Sequence, residues 1–157
     1  MVTHVRAVDP RWIAALQELQ APVAHQRAEA LDGIQQLLAE LGGLPAGGGS
    51  QLGEALRERL FDSSWSVIEK SLLLIRTLVS DVHEEVDALV FSLLLNAMLA
   101  KVSDSKVVVR KAASQALAQY MSTSNRKGEV MGRLIKEGVD SPDWKQRQAT
   151  PLFPSLT

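Results

Sequence analysis

The chain has 157 residues, 46% apolar and 4% aromatic, with no cysteine and a formal net charge of −1. That length and apolar content suit one domain with a substantial core, and they exclude a globally disordered chain. The missing cysteine excludes disulfides and thiolate zinc sites, while the near-neutral total hides 7 Lys/Arg against 13 Asp/Glu over residues 1–100 and 10 against 5 over 101–157.

Leu and Ala dominate the apolar set, which favours close helix–helix packing. Asp9-Pro10 opens the first predicted helix as an N-cap followed by a first-turn proline. Trp12, Ile13, Leu16 and Leu19 recur at helical spacing, Trp12 is expected in the core, and Pro22 ends the helix. A second helix is expected from about Val23 to Leu41, with Leu31, Ile34, Leu37, Leu38 and Leu41 on one side. Gly42-Gly43 closes it, and a flexible connection reaches Gly48-Gly49-Ser50. The next pair runs from about Gln51 to Phe61 and from Trp65 to Val79, with Asp62-Ser63-Ser64 offering capping side chains between them.

A third pair is predicted over about Val86–Val102 and Val107–Met121, joined by Ser103-Asp104-Ser105. Its apolar stretch, Ala88 to Ala100, contains Ser92 and Asn96 and is too short to cross a bilayer. It reads as a helix buried on most sides. The amino terminus lacks a signal peptide's basic-then-apolar order, so a soluble, cytoplasmic protein is expected. The last pair covers roughly Lys127–Gly138 and Trp144–Thr157, where Pro151 and Pro154 should kink or shorten the final helix. Leu152, Phe153 and Leu156 would leave an apolar face uncovered there. A domain incomplete at its carboxyl terminus is therefore expected.

Each second helix opens after a short polar loop with a bulky residue, usually followed by an arginine. The four segments are Ala21-Pro22-Val23-Ala24-His25-Gln26-Arg27, Asp62-Ser63-Ser64-Trp65-Ser66-Val67, Asp104-Ser105-Lys106-Val107-Val108-Val109-Arg110 and Asp140-Ser141-Pro142-Asp143-Trp144-Lys145-Gln146-Arg147. Taking Arg27, Glu69, Arg110 and Arg147 as equivalent gives a period of about 40 residues, the signature of HEAT or armadillo repeats. The expected fold is all-α: a right-handed HEAT-repeat α-solenoid of about four helix pairs, at about 9–41, 51–80, 84–121 and 126–157, forming one domain.

The sequence carries no nucleotide loop, no metal-binding helix motif and no nucleophile–base arrangement. His4, His25 and His83 are scattered, and Gly47-Gly48-Gly49 lacks the Lys-Ser/Thr of a phosphate cradle. No enzymatic activity, cofactor or metal is expected. Asp81, Glu84, Glu85 and Asp87 read as a solvated helix start, with acids favoured by the helix dipole. Asp62, Asp104 and Asp140 read as structural caps, with Arg110 and Arg147 bridging to aspartates of neighbouring turns.

In a helical solenoid the turns within successive pairs share one edge. Here that edge would carry Pro22-Val23, Ser64-Trp65, Lys106-Val107 and Trp144-Lys145, with Lys111 and Arg147 adding positive charge. Trp65 and Trp144 could equally pack beneath their loops or anchor an interface, since tryptophan suits both settings. At these loops the sequence resembles the TOG domain, the tubulin-binding HEAT solenoid of microtubule polymerases, CLASP proteins and the ciliary crescerin proteins. Asp104-Ser105-Lys106-Val107-Val108-Val109-Arg110 and Asp143-Trp144-Lys145-Gln146-Arg147 carry the resemblance, as does the stretch from about Leu60 to Thr157, which is similar to crescerin TOG domains. Gly128-Glu129-Val130-Met131, Ile135-Lys136-Glu137-Gly138, Arg147 and Pro154 are its nearest part.

The resemblance implies a TOG-like domain, partial because it has fewer repeats than a complete one. It also implies binding of αβ-tubulin or microtubules and regulation of microtubule growth at the cytoskeleton, with the cilium or axoneme as a setting. Carried over, the contact residues are Val23, Trp65, Lys106 and Lys145, with Ser64 and Trp144 nearby. This chain places tryptophan in its second and fourth turns, where many TOG domains have it in the first. The alternative is a HEAT scaffold for a different protein partner. Nucleic acid is disfavoured by the near-neutral charge and by the lack of aromatics among the basic residues, and no membrane partner is expected.

Overall fold

The computed structural model describes residues 9–45, 47–80 and 83–136, and every regular element among them is a helix. Helix α1 (Pro10–Glu18) opens as its sequence dictates: the Asp9 carboxylate accepts the Arg11 N–H at 2.9 Å, with Pro10 in the first turn. Helix α2 (Ala24–Leu41) ends at Gly42, whose φ of 74° lies in the left-handed region, and the Gly43 N–H returns to the Leu38 carbonyl at 3.0 Å.

Helix α3 (Gly49–Arg59) begins two residues before the expected Gln51. Gly48 and Gly49 are buried rather than part of a loose connection. A Cβ on Gly48 would lie 3.0 Å from the Trp12 indole nitrogen, and one on Gly49 would lie 2.6 Å from the Glu85 carboxylate. Close approach of neighbouring helices, more than loop flexibility, explains glycine here.

Helix α4 (Trp65–Val79) matches its predicted span. Helices α5 (Glu84–Leu89) and α6 (Leu95–Lys101) are joined by a π-helical turn, Val90–Leu94, into one rod. The rod carries the predicted apolar stretch, with Ser92 and Asn96 on its exposed side. Helix α7 (Val107–Thr123) and helix α8 (Lys127–Leu134) follow. The second helix of the last predicted pair, with Trp144, Lys145 and Arg147, lies outside the described residues. No described helix is long and apolar enough to cross a membrane.

The helices pack in two rows in chain order. One row holds α1, α3 and the α5–α6 rod; the other holds α2, α4 and α7. Across the rows α1 meets α2, α3 meets α4, and α6 meets α7. Trp12, Leu56, Ile75, Leu94 and Leu117, from five segments spread along the chain, are all 0% exposed and belong to one core. The α2–α4–α7 row is cross-linked at its surface. Lys70 bonds Asp32 at 2.8 Å, Gln35 bonds Thr77 at 2.6 Å, and Arg76 donates to Gln115 at 3.1 Å.

Asp87 corrects the expectation of a solvated acidic helix start. Glu84 and Glu85 are exposed, whereas Asp87 lies one residue after the buried Val86 on the inward side of α5 and is fully buried. Its carboxylate accepts hydrogen bonds from the Tyr120 hydroxyl at 2.7 Å, the Ser124 hydroxyl at 2.8 Å and the Asn125 N–H at 2.8 Å. Arg126 Nη1 lies 3.2 Å away. Burial by itself would raise the Asp87 pKa, but these donors and the guanidinium together hold it below the ordinary aspartate value. The group ties the start of α5 to the end of α7 and the entry to α8.

The α4–α7 contact is the most extensive between helices, and α7 brings the small residues Ala112, Ala113 and Ala116 to the interior. Alanine there lets the helix axes approach. Ala116→Leu should therefore overpack the junction and cost about 1–3 kcal/mol in urea unfolding, whereas a leucine at exposed Lys111 on the same helix should change stability little.

Candidate partner-binding rim

Three turns join the two helices of a pair among the described residues, and their last residues adopt one backbone geometry. Val23 has φ −96° and ψ 125°, Ser64 has φ −96° and ψ 121°, and Lys106 has φ −92° and ψ 127°. Each is the N-cap residue of the second helix, and none uses its own side chain to cap. In the second and third turns an aspartate two residues back instead bonds the N-cap residue's own N–H. Asp62 accepts the Ser64 N–H at 2.9 Å, and Asp104 accepts the Lys106 N–H at 3.0 Å. Both aspartates are structural, as the sequence suggested.

This register shifts one equivalence. Four residues beyond the N-cap stand Arg27, Ile68 and Arg110, so the second-turn counterpart of the arginines is buried Ile68 and not Glu69. The two arginines do the same work locally. Arg27 Nη1 donates to the Ala21 carbonyl at 2.8 Å, and Arg110 Nη1 donates to the Asp104 carbonyl at 2.8 Å and the Ser105 carbonyl at 3.3 Å.

Bridging between turns falls to other groups than expected. Arg27 forms a two-pronged contact with Asp62, Nε to Oδ2 and Nη2 to Oδ1, both at 2.8 Å. Arg59 reaches Asp62 Oδ2 at 3.2 Å and the Leu19 carbonyl at 2.9 Å. The first two turns are thus fastened through one carboxylate whose side chain is 2% exposed. The third turn meets the second through rings and ammonium groups. Lys106 Nζ lies 5.9 Å from the centre of the Trp65 ring, and Lys101 Nζ lies 4.6 Å from that of Phe61. These links place the turns side by side on one rim. An Arg110 bridge to Asp140 falls outside the described residues.

Of the residues named from sequence, Val23 (52% exposed), Trp65 (46%) and Lys106 lie open on the rim, and Ser64 is half-buried between them. Trp65 is therefore not packed beneath its loop, whereas Trp12 is fully buried as expected. Trp144 and Lys145 lie outside the described residues. Sequence reasoning missed Phe61, 59% exposed at the entrance to the second turn, although a large apolar residue directly before a polar turn was a usable signal. Val107 and Val108 are also exposed.

The aspartates of the second and third turns are engaged within the fold. Asp62 is occupied by Arg27 and Arg59, and Asp104 by the Lys106 N–H with Lys101 at 3.9 Å. Lys106 and Lys111 are exposed and have no carboxylate partner among the described residues. The rim presents apolar surface beside the exposed cations Lys106 and Lys111, while Glu69, at the register position of Lys111 in the second turn, is half-buried. No protein-family model and no curated protein matches this chain.

Removing the Asp62 carboxylate would leave two guanidiniums without their shared partner, so Asp62→Ala should cost about 3–5 kcal/mol. Burial pushes the Asp62 pKa up, yet the hydrogen bonds from Arg27 and Ser64 and the nearby guanidinium charges bring it below the ordinary value. A depressed folded pKa stabilises above the unfolded value of about 3.9 and loses that contribution as pH falls through the folded one. Urea midpoints at pH 7 and pH 3 should therefore converge in Asp62→Ala relative to the wild-type chain. A residual acid loss from Asp87, which shifts the same way, should persist.

Proposed function

We propose that the chain is a right-handed HEAT-type solenoid forming part of a TOG-like domain, and that its rim binds αβ-tubulin. In this reading it is a non-enzymatic module that regulates microtubule growth at the cytoskeleton, with the cilium as a setting. The observation that carries it is the repeated N-cap geometry at Val23, Ser64 and Lys106, spaced 41 and 42 residues apart, with Trp65 open beside Lys106. A repeat of that length, two helices per unit and stacking in chain order belong to the HEAT class. The resemblance of the turn sequences to TOG loops supplies the partner. A half-exposed tryptophan supplies an anchor, and free ammonium groups supply complementarity to an acidic protein face.

Size-exclusion chromatography of the chain with soluble αβ-tubulin tests this. The wild-type chain should co-elute with tubulin. The double variant Trp65→Ala/Lys106→Glu should bind at least about tenfold more weakly while keeping its helical circular dichroism. A folded wild-type chain that does not co-elute sinks the tubulin reading and leaves the rim to a different protein.

A further inference from the structure

Phe61 and Lys101 belong to none of the contact positions carried over from the turns, yet the structure treats them as a pair. Lys101, near the end of the rod, is 12% exposed at its side chain, and its ammonium lies 4.6 Å from the centre of the Phe61 ring. Phe61 itself is the most open large apolar side chain among the described residues, at 59%. One side of the ring rests on a nearly buried cation from the neighbouring pair, and most of the rest faces solvent. Trp65, at the other end of the same turn, also has a lysine near its ring, the exposed Lys106. Lys101 is largely enclosed and its ammonium also lies 3.9 Å from the Asp104 carboxylate, which withholds its charge from a partner, so the lysine sets the ring's position and the ring makes the contact.

Resting on the reading of the rim as a docking edge, we propose that Phe61 is a partner-contact residue and Lys101 its positioning residue. Together with Trp65 they form a two-ring ridge that receives an apolar side chain from an acidic protein face. The acidic character follows from charge complementarity. Asp62 and Asp104 are internally occupied, while Lys106 beside the Trp65 ring and Lys111 farther along α7 are exposed cations without a carboxylate partner among the described residues. The apolar element follows from the rings, because a propped aromatic surface is well placed as an anchor.

The test uses the full chain with αβ-tubulin as the probe, measuring affinity across a salt series. Phe61→Ser should weaken binding about fivefold without changing the salt slope, since it removes apolar contact. Lys106→Gln should weaken binding and flatten that slope. Lys101→Met should weaken binding about threefold, and Lys101→Arg, which restores a cation under the ring, should recover it. If Trp65→Ala loses affinity while Phe61→Ser binds like the wild type, the two-ring ridge is wrong and the rim reading stands. If Lys101→Arg fails to recover affinity, the positioning role is wrong. If the wild-type chain does not bind tubulin, both readings fall together.

Discussion

A carboxylate held between two guanidiniums sets the geometry on which the rim depends. Asp62 gives one oxygen to each prong of Arg27, shares one with Arg59 and still accepts the Ser64 N–H. An ion pair this buried has a large desolvation cost, and that cost is offset only when nearly every lone pair is satisfied. Here they are. A planar guanidinium bound through two parallel hydrogen bonds tolerates little sliding or rotation. The separation of the first and second turns is therefore fixed by bond geometry, in addition to the packing of the helices behind them.

The second and third turns are related differently. Lys101 and Lys106 lie near aromatic rings at 4.6 Å and 5.9 Å, contacts that are weaker and less directional than a bidentate ion pair. Rigidity at this junction comes from below, where α4 and α7 pack through the alanines of α7 and Thr123 donates to the Val79 carbonyl at 2.6 Å. At the opposite end of α7, the Asp87 group performs the tying role that Asp62 performs at the rim. One buried aspartate thus ties the rim ends of the first and second pairs and another ties the far end of the third, each linking segments more than thirty residues apart in sequence.

Helical spacing of Leu, Ile and Val made the helices legible, because burial of one face is a local pattern that any window of the chain displays. Gly42 as a left-handed cap and Asp9-Pro10 as a helix start were equally local. What the sequence hid was tertiary. Asp87 looks like any helix-start acid until Tyr120 and Ser124, more than thirty residues later, arrive to bond it. The glycines at 48 and 49 look like a linker until Trp12 and Glu85 occupy the space a side chain would need. The one-residue slip between Glu69 and Ile68 arose from aligning charge with charge; the backbone aligns N-caps, and at the second turn Arg59, from the preceding helix, supplies the guanidinium. Val23, Ser64, Trp65 and Lys106 were legible because a loop–helix junction is a fixed place on any helix pair.

Those junctions also break a local rule, and the breach is informative. Helix N-caps favour Ser, Thr, Asp and Asn, whose oxygens satisfy the free amides of the first turn. Valine and lysine, which stand at the first and third caps, offer no such oxygen, and the serine at the second does not use its own. In the latter two turns Asp62 and Asp104 bond the N-cap residue's own N–H from two residues upstream. In the first turn Arg27 ties the Ala21 carbonyl instead. Turn structure is thereby provided by residues beside the cap, which releases the cap position from structural duty. A position that folding leaves unconstrained and that projects at the rim can vary from turn to turn in chemistry, here apolar, hydroxyl and cationic. Departure from local preference with compensation nearby is a feature on which the proposed recognition role of the rim draws.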